Sequence, residues 1–269
     1  MQGPSRAALH ASRESLDEVL GGDVDAEQLA EDLLAVAGMV AGSAPLRRAM
    51  TDPSREGKDR VGLADRLLTG RIGESAHTVT RTAVSQRWSE PIDLSVALEE
   101  LGVEALLAHA ERRDRLGRVE DELFRFHRIV TGDPRLQAAL TDRRAPTKAK
   151  IGLVNSLLAD QGAPETVRLV THAVGSSTTR FGQALESYLD IAARRQNQVT
   201  AVITTASALT EEQISRILQA LSTQYQRNVH ANVVIDPSVL GGVRIDIGDE
   251  IIEGTVRSRL EDARRHLSR

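Results

Sequence analysis

The sequence predicts a mainly α protein in which two tandem helical bundles, related by internal duplication, precede a small C-terminal α/β domain. Three observations predict it. A shift of 90 residues aligns Leu46–Leu68 with Leu136–Leu158 without a gap, and nine of these 23 positions are identical, where chance at ordinary composition gives about two. Apolar residues recur at helical spacing as far as about Gln198 and at alternate positions beyond it. Only six residues of 269 are aromatic, so Ala, Leu, Val and Ile must fill the core, as helical bundles allow.

The duplication is read as a first bundle over residues 1–92 and a second over 93–197. The 90-residue register extends upstream through Leu33/Leu123, Val40/Val130 and Gly42/Gly132 and downstream through Ala83/Ala173 and Val84/Val174. A slip of three then pairs Arg87-Trp88 with Arg180-Phe181. Helix breaks are expected at Gly21-Gly22, Asp52-Pro53, Gly70 and Pro91 in the first copy, and at Gly117, Asp133-Pro134, Pro146 and Gly162 in the second. These give five or six short helices per copy. The segment from Asp93 to Arg115 fits both the end of the first copy and the start of the second, so one long helix is expected to be shared.

Residues 198–269 read as the α/β domain. Val199, Ala201 and Ile203 alternate as in a strand, and Thr210 with Gln213 forms a capping-box pattern ahead of Ile214, Ile217, Leu218, Leu221 and Tyr225. A strand from Val229 to Ile235 follows, then one bearing Val243, Ile245 and Ile247, a Gly248-Asp249 turn and Ile251-Ile252. The Gly241-Gly242 pair leads into a strand and reads as a tight bend needing positive φ. A closing helix from Thr255 would carry Val256, Leu260, Ala263 and Leu267 as its stripe.

Composition and spacing exclude most chemistry. With 34 basic and 38 acidic residues the formal charge is −4 and there is no cysteine, so a global field for nucleic acid, a thiol nucleophile and a thiolate metal site are all missing. No two of the seven histidines lie within five residues of each other, and no phosphate loop, nucleophile elbow or dinucleotide motif occurs. No catalytic, metal or cofactor-binding residue is therefore assigned. The segment Arg135, Arg143, Arg144, Lys148 and Lys150 with Asp142 carries +4 against +2 for its counterpart around Arg47–Arg60; it reads as a solvated loop and helix start in preference to an anionic-partner patch, since no aromatic is interleaved for base stacking. The N-terminus lacks signal-peptide features. The longest apolar run, Leu33 to Gly42, has ten residues where a membrane span needs about 20; its Gly38 and Gly42 suggest a close helix contact instead.

The run from Pro237 to Leu260, Pro-Ser-Val-Leu-Gly-Gly-Val-Arg-Ile-Asp-Ile-Gly-Asp-Glu-Ile-Ile-Glu-Gly-Thr-Val-Arg-Ser-Arg-Leu, closely resembles the C-terminal signature of the F-type ATP synthase delta subunit family, the bacterial counterpart of the mitochondrial oligomycin-sensitivity-conferring protein. The likeness covers about residues 93–269. Family members usually carry one helical bundle, and the first copy here is extra. The resemblance implies a non-catalytic stator subunit, peripheral on the cytoplasmic face of the cell membrane, joining the catalytic head to the peripheral stalk in support of proton-coupled ATP synthesis. Its implied partners are the N-terminal segment of an alpha subunit, the beta subunits of the head and stalk subunit b. By position, the alpha segment's groove would involve Leu98, Leu101, Val170 and Val174. The signature turn and stalk-facing domain would use Gly241, Gly242, Gly248, Asp249, Gly254, Arg257 and Leu260. A helical-repeat adaptor of another complex is the rival reading.

Overall fold

The computed structural model describes residues 3–142, 144–158, 162–176, 178–196, 198–225, 228–237, 239, 242–247 and 250–253. The chain divides into two compact units, residues 1–193 and 194–269. The first is helical: α1 (Gly3–Leu20), α2 (Ala26–Gly42), α3 (Ala44–Thr51), α4 (Gly57–Leu68), α5 (Glu74–Ser85), α6 (Pro91–Glu111), α7 (Leu116–Gly132), α8 (Pro134–Thr141), α9 (Thr147–Leu158), α10 (Pro164–Gly175) and α11 (Phe181–Gln196).

Both bounds of α2, α3, α4 and α5 recur 90 residues later in α7, α8, α9 and α10, and the starts of α6 and α11 keep the same shift. The duplication is thus carried by every helix, with α6 closing the first copy and opening the second. Local chemistry sets the ends. Asp25 accepts from the N–H groups of Glu27 and Gln28 to start α2, and Asp133 accepts from those of Arg135 and Leu136 to start α8. Pro91, Pro134 and Pro164 each open a helix at the position where a missing N–H costs nothing.

Three expectations need correction. Gly117 breaks nothing and lies in the first turn of α7; the break falls just before it, where Asp114 turns at φ 54°. Gly38 and Gly42 have nothing within 4 Å of where a Cβ would stand, so neither makes the close contact. That contact occurs at Gly102 of α6, where a Cβ would meet the Leu34 side chain at 2.7 Å. The shift of 90 also holds through Pro91 and Phe181, so no slip is needed: Trp88 is buried ahead of α6, its indole N–H donating to Ala83 O at 2.9 Å, while Phe181 is the first residue of α11, edge-on to Phe126 at 6.5 Å.

One device is built twice. The Asp32 carboxylate on α2 accepts from the Gly73 N–H at 2.7 Å, and 90 residues on the Glu122 carboxylate of α7 accepts from the Ala163 N–H at 2.7 Å and the Thr166 hydroxyl at 2.6 Å. In each copy a carboxylate of the second helix holds the residue that starts the fifth. A second device is built once. Arg60 of α4, 3% exposed, donates to the carbonyls of Asp52, Arg55, Val84, Ser85 and Gln86 at 2.7–3.1 Å. It thereby ties the α3–α4 loop to the end of α5. Its counterpart by the shift of 90 is Lys150, which is half-buried and makes no such clamp with the described residues.

A single apolar cluster runs through the helical unit. At its centre α6 buries Leu94, Ala97, Leu98, Leu101, Val103, Ala105, Leu106 and Leu107, residues spread around its whole circumference. The second unit follows the β-α-β-β order: β1 (Gln198–Thr205), α12 (Glu211–Tyr225), β2 (Asn228–Ile235), β3 (Val243–Ile247) and β4 (Glu250–Glu253), in sheet order β2-β1-β3-β4. β1 and β2 run parallel, Gln198 opposite Asn228, which requires the α12 crossover. The Thr210–Gln213 capping box forms reciprocally, at 2.9 and 3.3 Å. Ala201, Ile203, Leu221, Val229, Ile245 and Ile247 make the small core. The turn at Gly248-Asp249 and the helix from Thr255 lie outside the described residues.

Three substitutions test this packing. Gly102→Ala, which in an ordinary helix interior adds up to about 1 kcal/mol of stability, should instead lose about 1–3 kcal/mol by driving α2 off α6, read by chemical denaturation. Arg60→Met should cost about 3 kcal/mol by leaving a ring of carbonyls unpaired, whereas Lys150→Met should cost under about 1 kcal/mol.

Candidate functional site

The four residues expected to line a groove between α6 and α10 are inside the protein. Leu98, Leu101 and Val170 are fully buried and Val174 is 8% exposed. They form core between the two helices, not the floor of an open furrow. What lies over that furrow is α2. Leu34 packs on Gly102, and Glu27 and Glu31 of α2 pair with Arg168 of α10. Leu34, Ala37, Gly38 and Ala41 face Thr171, His172 and Gly175 of α10 across a cavity of about 330 Å³. The equivalent furrow of the first copy runs between α1 and α5. There Thr82 donates to Ser15 at 3.2 Å, Thr78 and Arg81 are exposed, and Ala11, Ser15 and Thr82 are half-buried.

At the base of the covered furrow stands Glu99 of α6, 5% exposed. It accepts from the Tyr188 hydroxyl of α11 at 2.7 Å, from Ser176 at 3.1 Å and from Thr178, and it faces His172 Nε2 of α10 at 3.5 Å. Burial works to raise its pKa, but the bonds from His172, Thr178 and Tyr188 outweigh it and hold the carboxyl below its ordinary value. Burial and the Glu99 charge push the Tyr188 phenol well above its own ordinary value. A similar junction lies one helical stretch on, where His109 stands 3.5 Å from Glu27 and 3.7 Å from Glu165, and Arg115 stands 3.5 Å from Glu165. Neither Glu99 nor Arg60 was marked out in the sequence. In the sequence Glu99 stands beside Glu100 and nothing there separates the buried acid from its half-buried neighbour.

These groups join helices; Glu99 and His172 both line the 330 Å³ cavity, where Glu99 is held by the hydroxyls of Ser176, Thr178 and Tyr188. Asp25, Glu27 and His109 are the one set among the described residues whose donor atoms come within 4.8 Å of each other. Asp25 is already capping α2 and Glu27 is already paired with Arg168. Among the described residues no single helix is long and apolar enough to cross a membrane. Of the signature residues, Gly242 is exposed and adopts φ 84°, the conformation expected of the bend. Gly241, Gly248, Asp249, Gly254, Arg257 and Leu260 lie outside the described residues.

The Glu99 network makes an acid-dependent contribution to stability. Its folded-state pKa lies below the unfolded one, so the stabilisation is present above the ordinary Glu range, about 4.3, and is lost as the pH falls through the folded-state value. Glu99→Gln should therefore lose stability at pH 7 by about 1–3 kcal/mol. The gap from the parent should narrow below about pH 4, as followed by denaturant titrations at several pH values.

The profile of the family "ATP synthase delta (OSCP) subunit" matches residues 103–267. ATP synthase subunit delta of Parafrankia sp. (strain EAN1pec) is 46% identical over 279 residues, covering 100% of both chains. The Streptomyces avermitilis subunit delta is 44% identical over 271 residues, 99% of this chain and 98% of its own. That of Acidothermus cellulolyticus is 43% identical over 273 residues, 100% of both. These relatives span the first helical copy as well as the second. The chain belongs to the ATP synthase delta (OSCP) subunit family and is a non-catalytic subunit of the ATP synthase complex.

Proposed function

We propose that this subunit is a static connector, holding the catalytic head of the ATP synthase to its peripheral stalk from the cytoplasmic face of the membrane. The observation that supports this best is the continuous core of the helical unit, in which α6 belongs to both bundles. Such a connector transmits load without chemistry of its own. With an association rate constant of about 10⁶ M⁻¹s⁻¹, a joint that lasts minutes needs a dissociation constant of about nanomolar, and burial of an apolar helix face in a groove reaches that strength. The head partners in this reading are the alpha subunit's N-terminal segment and the beta subunits; the stalk partner is subunit b, met by the C-terminal unit through the signature that includes Gly242 and Arg257.

Because Leu98, Leu101 and Val170 are fully buried, the α1–α5 furrow of the first copy is the better seat for the alpha segment. The absence of native cysteine makes this directly testable. In the assembled complex, a thiol probe on Arg81→Cys should be protected from maleimide and should cross-link to alpha, while His172→Cys should react the same with and without the head. Protection at His172→Cys alone would return the seat to the α6–α10 furrow. Co-purification from native membranes through a C-terminal tag should recover alpha, beta and b. Deleting residues 199–269 should leave ATP hydrolysis uncoupled from proton pumping; if coupling survives that deletion, the connector role is wrong.

A further inference from the structure

The two copies differ most where Arg60 closes the first. Met50, Thr51, Arg60 and Val84 are buried at the meeting of α3, α4 and α5, at most 7% exposed. Their counterparts 90 residues on are Leu140, Thr141, Lys150 and Val174, and these line an open pocket of about 980 Å³. One local bond is the same in both places: the Thr51 hydroxyl donates to Arg47 O at 2.8 Å and the Thr141 hydroxyl to Gln137 O at 2.7 Å. What differs is the exchange of a five-bonded guanidinium for a lysine.

The lining has a definite chemistry. Leu140, Val174 and Phe181 form an apolar floor, and Lys150, Arg180 and Thr179 stand among the polar residues. No carboxylate is among the described residues of the wall. Neither the Lys150 ammonium nor the Arg180 guanidinium makes a hydrogen bond or ion pair with a described residue. The pocket also sits in the most cationic stretch of the chain, where Arg135, Arg144 and Lys148 are exposed and Asp142 is the single acid between Arg135 and Lys150. α10 ends at this pocket and α11 begins there, so the two helix dipoles oppose each other and the side-chain charges set the sign. A pocket of this size stands at the top of the range that holds whole organic ligands, about 300–1,000 Å³, far beyond one inorganic ion.

We propose that this second-copy pocket is a docking site for an acidic polypeptide segment of a neighbouring subunit, with carboxylates meeting Lys150 and Arg180 and an apolar side chain resting on Leu140, Val174 and Phe181. In the first copy the chain's own Arg60 fills the matching space, so only the second copy is available to a partner. The site is separate from the α1–α5 furrow and does not depend on what that furrow binds.

The test uses the full chain and the purified ATP synthase. A fluorescein-labelled Glu-Asp-Leu-Asp-Glu peptide should bind the full chain, and Lys150→Ala/Arg180→Ala should weaken that binding at least tenfold. Arg71→Ala/Arg125→Ala, which removes the same charge from exposed positions elsewhere, should change it less than twofold. The Gln-Asn-Leu-Gln-Asn analogue should not bind. Circular dichroism and melting of each variant report whether it folds like the parent. In the assembled complex, a photo-cross-linker in place of Gln183 should capture a segment of another subunit that mass spectrometry identifies as acidic, and the Lys150→Ala/Arg180→Ala change should abolish the cross-link. Equal losses in both double variants, a captured segment without acidic residues, or no captured polypeptide would overturn the proposal. So would full displacement of the peptide by low-millimolar inorganic phosphate together with no cross-link, which would make the pocket a small-anion site.

Discussion

Everything in the helical unit depends on α6 being buried around its whole circumference. A helix with one apolar stripe has one partner surface, whereas a helix buried on all sides must be enclosed. α6 buries the successive residues Ala105, Leu106, Leu107 and Ala108, so the first copy and the second approach it from different sides and their cores merge. The few polar residues on α6 then decide which side is which. Asp93 accepts from Ser5, Glu100 and Glu104 take Arg13 at 2.9 and 2.7 Å, and Arg112 reaches the carbonyls of Leu20 and Val24, all in the first copy. Glu99 faces the second copy, and His109 stands between Glu27 of one and Glu165 of the other.

Buried charge at such a junction is a weak source of net stability, because desolvation offsets much of the attraction. Its stronger effect is on geometry. An unpaired Glu99 or Glu165 would leave a carboxylate without water or partner, so displaced packings of the second copy against α6 are penalised. Burial pushes Glu104 above its ordinary pKa, with the charge and hydrogen bond of Arg13 opposing it. That group is sensitive to any movement of α1. Shape does the rest: Gly102 admits Leu34 where any side chain would collide.

The repeat was legible in the sequence because both copies keep the same helix ends and the same buried positions: Leu33 and Leu123, Val40 and Val130, Met50 and Leu140 are all buried. The β-α-β-β order was legible because period-2 alternation and a capping box are local signals. What escaped was relational. Asp32 and Glu122 look like surface acids until the fifth helix arrives above them, Arg60 looks like one member of a charged stretch, and Gly102 carries no motif at all. The expected groove at Leu98 and Val170 failed as an open site for the same reason. Leu98 and Val170 are buried, and a sequence aligned to itself does not reveal that α2 of the first copy packs on α6 at Gly102.

A helix that ends one bundle and begins the next also changes how the architecture counts. Two free-standing six-helix bundles would need twelve helices and a linker whose flexibility must then be restrained. Here two copies take eleven, and the general rule for n copies is 5n + 1. The repeating quantum is five helices and 90 residues, not a whole domain. Copies joined in this way have no hinge between them to stiffen, and length is added without adding a joint. A subunit built on that rule can change its reach only in fixed steps, each new step inheriting the orientation of the one before through the helix they hold in common.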